Sequence, residues 1–353
     1  MSVSRATGDH NEPLTILVAS YLEPELVARI GAVDPARIRV RYEPDLLPVP
    51  KYPADHNGVP RDLSPSQLSR WEVALSEADV LFDFDWRAPE RLPESAPRVR
   101  WVQATSSGIG EFVVRTGLDR WSATLTTAGG THGVPLAEFV ALGLLYLTRD
   151  VVELQRRQAE HRWERYAARQ LAGQRALVVG LGHVGGKVAK TLAALGLEVW
   201  GMRREPGESL PVGVTKAISR GSLRDALEQV DVLVLACPYT PETHHMIGRE
   251  ELARLRPGAL FVNVARGAVV DESALIDALR GGRLGGAVLD VFEQEPLPVA
   301  SPLWDLPRVL ISPHSASTVD AENGVIVNLF ADNLRRFLDG RPLRNVYDHA
   351  RGY

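Results

Sequence analysis

Short apolar runs alternate with helix-like stretches along most of the chain. "LTILVAS" (14–20), "RIRVRYE" (37–43), "DVLFDFD" (79–85), "RVRWVQAT" (98–105) and "ATLTTAG" (123–129) read as strands. The first is a continuous apolar run and the second alternates. Between them lie helical patterns such as "SPSQLSRWEVALSEA" (64–78), which opens with Ser-Pro, a polar cap followed by a residue of preset φ. Strand alternating with helix predicts a parallel sheet with helices on both faces. One stretch breaks the rhythm: "YEPDLLPVPKYPADHNGVPRDLSP" (42–65) is dense in proline and polar residues and reads as a long surface loop. From about 132 to 170 the pattern is helical. Six further apolar runs then follow: 175–180, 197–202, 231–238, 259–265, 286–292 and 309–314. That is the content of a six-stranded doubly wound dinucleotide domain. The stretch 316–340 reads as one amphipathic helix that could pack back on the first domain.

Length and composition narrow the class. A chain of 353 residues is too long for one ordinary domain and fits two. The net charge of −4 gives no global field for nucleic acid or an anionic membrane. The single cysteine, Cys237, excludes an intramolecular disulfide and suits a reducing compartment. The opening "MSVSRATGDHNEP" lacks the apolar core of a signal peptide, and no apolar run is long enough to span a bilayer. The expectation is a cytoplasmic protein with neither nucleic-acid nor membrane partners.

The first candidate chemistry lies after the strand at 175–180. "VVGLGHVGGKVA" holds Gly180, Gly182 and Gly185 in a G-x-G-x-x-G turn between a strand and a helical run, the context a dinucleotide site requires. Gly180 permits the tight turn, Gly182 lets backbone approach a pyrophosphate, and Gly185 lets helix and strand pack closely. His183 and Val184 open the helix, whose N-terminus presents N–H groups to phosphate. At the end of the next strand an acidic residue would hold the adenosine ribose. Here Arg203 and Arg204 stand in its place. Guanidinium groups suit a 2′-phosphate, so NADP(H) is favoured and NAD(H) stays open. Glu205 follows at once and pulls the other way. The arginines could also merely flank the strand, or one could stack on adenine.

Further polar residues fall at strand ends, where ligands gather in open α/β sheets. Arg266 follows one strand. Asp290 lies within another, with Glu293 and Glu295 after it, and His314 follows a third. An Arg, a carboxylate and a His converging there could bind an α-keto acid, orient the His and move a proton. His244 and His245 are adjacent and should diverge, with no ligand spacing around them, so no metal site is expected. Trp86, after "DVLFDFD", sits at a strand end and is a candidate for the substrate pocket.

At these residues the chain resembles the D-isomer-specific 2-hydroxyacid dehydrogenase family. The resemblance rests on "GLGHVGGKVA", on "ACPYTPETHHMIGREELARLRPGALFVNVARGAVVDESAL" and on "GAVLDVFEQEPLPVASPLWDLPRVLISPH". It runs from about 130 to 318, and more loosely through "RWVQATSSGIGEFV" (101–114). Arg203 also resembles the glyoxylate and hydroxypyruvate reductases that use NADPH. The resemblance implies two Rossmann-like, flavodoxin-like doubly wound parallel-sheet α/β domains with a cleft between them. Residues 1–129 and 318–353 would form the substrate-binding domain, and 130–317 the dinucleotide-binding domain. Arg266 would hold the substrate, and His314 would donate a proton as hydride arrives. Glu295 would pair with His314 and favour its protonated form. The backbone of Ser107, Gly108 and Ile109 would bind the carboxylate, although Gly110 stands where the family often has Asp. Family cofactor contacts map onto Cys237, Pro238, Thr243, Ala265 and Asp290. The implied reaction is hydride transfer between NAD(P)H and a small 2-keto or 2-hydroxy acid, in a homodimer. Two rivals share the fold. Formate dehydrogenases carry a Gln-like partner on the His where Glu295 stands here, and a dinucleotide-sensing corepressor would bind cofactor with little turnover.

Overall fold

The computed structural model describes residues 12–204 and 209–352. In chain order its elements are β1 (Leu14–Val18), α1 (Pro24–Gly31), β2 (Ile38–Arg41), α2 (Pro65–Glu77), β3 (Val80–Phe82), α3 (Leu92–Ser95), β4 (Trp101–Gln103), α4 (Gly110–Thr116) and β5 (Thr124–Thr126). There follow α5 (Gly133–Arg149), α6 (Val151–Ala159), β6 (Arg175–Val179), α7 (His183–Ala194), β7 (Glu198–Met202), β8 (Val214–Ile218), α8 (Leu223–Leu227) and β9 (Val232–Leu235). The series ends with α9 (Arg249–Arg254), β10 (Ala259–Asn263), α10 (Glu272–Arg280), β11 (Leu284–Leu289), β12 (Val309–Ile311) and α11 (Glu322–Leu338). They form two compact units. One runs to Thr131 and resumes at Thr318; the other is His132–Ser317. Among the described residues no helix is long and apolar enough to cross a membrane.

The first unit is a five-stranded, all-parallel sheet in the order β2-β1-β3-β4-β5. The inner strands β1 and β3 are largely apolar on both sides because helices cover both faces, while the edge strand β2 alternates. On one face α11 lays Ile326, Val327, Phe330 and Leu334 against Ile16, Val18, Phe82 and Trp101. Phe330 meets Phe82 edge-on at 5.2 Å and stacks on Trp101 at 4.9 Å. On the other face α2 contributes Trp71, Ala74 and Leu75. This helix starts where its sequence says. The Ser64 hydroxyl accepts the Gln67 N–H and the Gln67 side chain accepts the Ser64 N–H, a reciprocal cap worth about 1 kcal/mol. The stretch 42–65 is irregular. It is pinned by a Val49–Val59 bridge and by buried Leu46 and Leu47.

The second unit is a parallel sheet of seven strands in the order β12-β11-β10-β9-β6-β7-β8, one more than the sequence pattern predicts. The additional strand is β8, "VTKAI". It lies at the sheet edge, and only its end residues Val214 and Ile218 are buried, so it shows neither an apolar run nor a clean alternation. The helical expectation for 132–170 also needs correction. The helix breaks at Asp150, whose φ of 55° is left-handed, and α6 ends at Ala159. The first segment, α5, buries Leu136, Val140, Leu144 and Leu147 under the sheet. Gly143 in α5 lets it approach β11 so closely that a Cβ would lie 2.5 Å from a Val288 methyl. The second segment, α6, buries nothing and relies on pairs of Arg156 and Arg157 with Glu153 and Glu160. Such pairs give a few tenths of a kcal/mol each, too little to carry the helix further. The C-terminal helix starts at Glu322, later than the pattern suggests.

Candidate active site

The glycine turn in the second unit fits a dinucleotide pyrophosphate. Gly180 follows β6 with a φ of +95°, and a Cβ there would sit 2.6 Å from the Cys237 backbone. At Gly185 a Cβ would lie 1.7 Å from the Gly180 carbonyl oxygen, so the close approach of α7 to the turn depends on it. Gly182, the cap of α7, instead faces open space. The turn therefore exposes bare backbone beside the unpaired first-turn N–H groups of a twelve-residue helix, where His183 and Val184 begin it.

The two arginines after β7 differ. Arg203 donates through Nη2 to the Ser209 carbonyl at 3.1 Å, while its Nε is buried with no hydrogen-bond partner among the described residues. Arg204 is held by Glu242, its Nη2 lying 2.9 and 3.0 Å from the two carboxylate oxygens. Arg220 reaches the Glu242 carbonyl at 2.6 Å. The sequence pattern gave no sign of Glu242 or Arg220, because their meeting joins two separate strand ends. Glu205 lies outside the described residues.

Beyond β9, Cys237 is buried, and burial pushes its thiol pKa up to about 11. Pro238 follows, and Thr243 fastens the next turn by accepting the Thr240 N–H at 2.8 Å and donating to the Pro238 carbonyl at 2.9 Å. Beyond β10, buried Asn263 shapes the bend that presents Ala265 and Arg266. Its Oδ1 accepts the Ala265 N–H and its Nδ2 donates to the Arg266 carbonyl, both at 3.0 Å. Arg266 is half-buried, with Nη1 on the Ala265 carbonyl at 2.7 Å. Gly267 packs so tightly on Phe292 that a Cβ would lie 1.9 Å from its carbonyl carbon.

Asp290, at the end of β11, organises the loop that carries the histidine. Its Oδ1 accepts the Ser312 hydroxyl at 2.6 Å and the Ser315 and Ala316 N–H groups at 2.9 Å. The Asp290 carbonyl accepts the His314 N–H at 2.9 Å. Burial raises the Asp290 carboxyl above its ordinary value against these bonds. His314 is exposed, in a left-handed backbone with φ 53°. Its Nδ1 lies 2.7 Å from Glu295 Oε2, and Glu295 Oε1 accepts the Phe292 N–H at 3.0 Å. Burial works to raise the Glu295 carboxyl, but the His314 bond, the Phe292 N–H and the charges of His314 and Arg266 hold it below its usual range. An ionised carboxylate only accepts, so the Nδ1 atom carries the proton and Nε2 is turned outward.

Glu293 has a different partner. It lies 2.6 Å from His245 Nε2, and the Glu272 side chain caps its N–H. The rings of His244 and His245 do not diverge as adjacency suggests. Their centroids are 4.0 Å apart and nearly parallel, because His245 has a left-handed φ of 47°. No group of three or more metal-binding side chains occurs among the described residues.

In the first unit, Ser107, Gly108 and Ile109 form the loop between β4 and α4. The Ser107 hydroxyl donates to the Ala128 carbonyl at 3.1 Å, and the Gly108 N–H to the Ser106 hydroxyl at 3.3 Å. Trp86 lies after β3 and packs on Phe112, with ring centroids 5.0 Å apart.

Residues 141–316 match the family model described as D-isomer specific 2-hydroxyacid dehydrogenase, NAD binding domain. A glyoxylate/hydroxypyruvate reductase B from Yersinia enterocolitica is 34% identical over 303 residues, which cover 82% of this chain and 88% of that protein. A D-isomer specific 2-hydroxyacid dehydrogenase from Xanthobacter autotrophicus Py2, solved with NADPH and MES, superposes with a TM-score of 0.77. It shares 31% identity over 97% of this chain and 100% of that one. An NADPH-dependent glyoxylate/hydroxypyruvate reductase from Sinorhizobium meliloti, solved with NADP and sulfate, superposes with a TM-score of 0.75 at 26% identity, covering 96% and 100%. The match is to catalytic members and gives no support to a sensing role. The chain belongs to the D-isomer-specific 2-hydroxyacid dehydrogenase family and is an NAD(P)-dependent oxidoreductase acting on the CH–OH group of a 2-hydroxy acid.

Proposed function

We propose that the protein is an NADPH-preferring reductase of small 2-keto acids of the glyoxylate and hydroxypyruvate kind. The observation that carries this reading is the His314–Glu295 pair at 2.7 Å, within reach of the Arg266 charge. NADPH, when bound, supplies the hydride that reaches the carbonyl carbon. The chain's own groups do the rest. His314 gives the Nε2 proton to the carbonyl oxygen as that oxygen gains charge, and Glu295 stabilises the protonated ring and holds its orientation. Arg266 orients the acid through its planar fork. The backbone of Ser107, Gly108 and Ile109 receives the carboxylate. Asp290 keeps the histidine loop in place, and would stand on the nicotinamide side of the bound cofactor.

Arg203 is the residue proposed to read the 2′-phosphate, since its buried Nε has no acceptor among the described residues and a phosphate oxygen would supply one. Arg204 joins by exchanging Glu242 for phosphate. Val184, Cys237, Pro238, Thr243 and Ala265 are proposed to line the dinucleotide. A homodimer is proposed through α5, which leaves Val134, Leu142 and Leu145 exposed, and a reducing, cytoplasmic setting suits the lone thiol.

The test follows absorbance of the reduced nicotinamide with glyoxylate, hydroxypyruvate and pyruvate. Turnover with kcat/KM higher for NADPH than NADH is expected. Arg203→Ser should lower kcat/KM for NADPH by about 10–100-fold, the value of a charge-assisted bond, and change NADH little. Equal use of both cofactors by the unaltered protein would remove Arg203 from cofactor choice.

A further inference from the structure

Gly110 opens α4 directly after the Ser107–Ile109 loop, at the position where the family often has Asp. The first turn of a helix favours an acidic residue, so the glycine calls for a cause. Conformation is not the cause, because Gly110 has ordinary helical backbone. The cause is space: a Cβ at Gly110 would collide with the Gly352 carbonyl oxygen and lie 3.5 Å from the Tyr347 hydroxyl.

The atoms that fill this space belong to the stretch 344–352. Asn345 turns in left-handed backbone, with φ 55°. Its carbonyl accepts the Thr127 N–H at 2.9 Å, and its Nδ2 donates to the Gly129 carbonyl at 2.7 Å. Val346 bridges Thr126 in the antiparallel sense, and the Tyr347 N–H reaches the Leu125 carbonyl at 2.8 Å. The stretch thus covers the β5 edge of the sheet. Tyr347 is buried in the apolar cluster that also holds Ile109 and Val113. In the turn that follows, Asp348 Oδ1 accepts the Ala350 and Arg351 N–H groups, and the Asp348 carbonyl accepts the Gly352 N–H at 2.8 Å. That turn sets the Gly352 carbonyl against Gly110.

The loop is tied to the same segment from its own side. Ala128 donates its N–H to the Ser106 carbonyl at 3.0 Å, and its carbonyl accepts the Ser107 hydroxyl. Residues 127–129 are therefore shared: the loop holds Ala128, and Asn345 holds its neighbours Thr127 and Gly129. The loop also walls a cavity of about 80 Å³ with Phe84, Trp86 and the fully buried Asp83, so its position sets the shape of that cavity.

We propose that the stretch 344–352 is a strap that fixes the Ser107–Ile109 loop for the substrate carboxylate, with Asn345 as a positioning residue and Gly110 as the seat that a side chain would block. The proposal rests on the reading of that loop as the carboxylate holder. Neither residue takes part in the proton or hydride steps.

The experiment measures kcat and KM for glyoxylate, the NADPH Kd and the melting temperature in the unaltered protein and in Gly110→Ala, Gly110→Asp and Asn345→Gly. Gly110→Asp restores the family residue. Asn345→Gly keeps the left-handed turn and removes only the side chain that ties the strap down. In each variant KM should rise about 10-fold or more, the share of a hydrogen bond to a charged group, with kcat within about threefold. The NADPH Kd should stay unchanged, since the glycine turn lies in the other unit. Asn345→Gly alters neither the loop nor α4, and it decides the matter if the Gly110 variants do not fold. An unchanged KM in Asn345→Gly overturns the strap and confines any effect of the Gly110 variants to α4. Losses of kcat, cofactor affinity and melting temperature in step overturn it too, because they describe a scaffold rather than a positioning device. In both cases glyoxylate turnover by the unaltered protein leaves the reductase reading standing. No turnover of glyoxylate, hydroxypyruvate or pyruvate by the unaltered protein overturns that reading, and this one with it.

Discussion

His314 shows how much of a residue's role is set by groups it does not react with. Asp290 closes the loop around it with three hydrogen bonds to one oxygen, and Glu295 fixes its ring through Nδ1. His314→Ala should lower kcat by about 10²–10⁴-fold, the usual share of a general acid, with NADPH affinity nearly unchanged. Steady-state kinetics with a cofactor titration checks this, and near-normal turnover would take the histidine out of the proton step. The sequence marked Arg266, His314 and two glutamates; the family resemblance implied Glu295 as the partner of His314, and the structure pairs them, whereas nothing in the sequence pointed to His245 for Glu293. Glu293 meets His245 and Glu295 meets His314, although only one residue separates the two glutamates. Asp83 was hidden as well. In "DVLFDFD" it reads as one polar position among several, and its full burial, with Oδ2 accepting the Trp86 indole N–H, exists only once the fold has closed around it.

At the scale of elements, the glycine turn separates structural need from ligand need. Gly185 has no room for a side chain, whereas Gly182 has open space around it. Gly185→Ala should therefore destabilise the fold by roughly 1–3 kcal/mol through overpacking and weaken NADPH binding as a consequence. Gly182→Ala should leave the melting temperature nearly unchanged and still weaken NADPH binding, because the methyl occupies the approach to the pyrophosphate. Thermal melts alongside fluorescence titrations distinguish the two, and parallel losses in both variants would contradict the assignment. Elements with a continuous apolar run were legible from sequence, since burial on both faces of a parallel sheet demands it. The edge strand β8 was not, because its middle three residues face solvent. Nor was the break at Asp150, which comes where helix α5 loses its buried stripe.

At the scale of the molecule, the chain divides its sequence unequally between tasks. The second unit is one continuous stretch, and its family motifs are dense. The first unit carries the 42–65 segment, which its proline-rich composition marks, and the cavity beside the Ser107–Ile109 loop, which composition and periodicity do not reveal. Helix α5 is the proposed dimer contact, with Val134, Leu142 and Leu145 exposed on it. Sedimentation should give about twice the 38.7 kDa chain mass, and Leu142→Asp with Leu145→Asp should return it toward one. A monomer in the unaltered protein would leave those residues without that role.

The first unit is built from both ends of the described chain: strands β1 to β5 come early, and α11, which covers one face of their sheet, comes after all of residues 132–317. During synthesis Ile16, Val18, Phe82 and Trp101 must therefore wait for Phe330 and Leu334. At about 5–20 residues per second, that wait is on the order of ten to sixty seconds. An uncovered apolar sheet face over such a time is a target for chaperones and a hazard for aggregation, so the cell's handling of the nascent chain, as much as the finished fold, should govern how much active protein it yields.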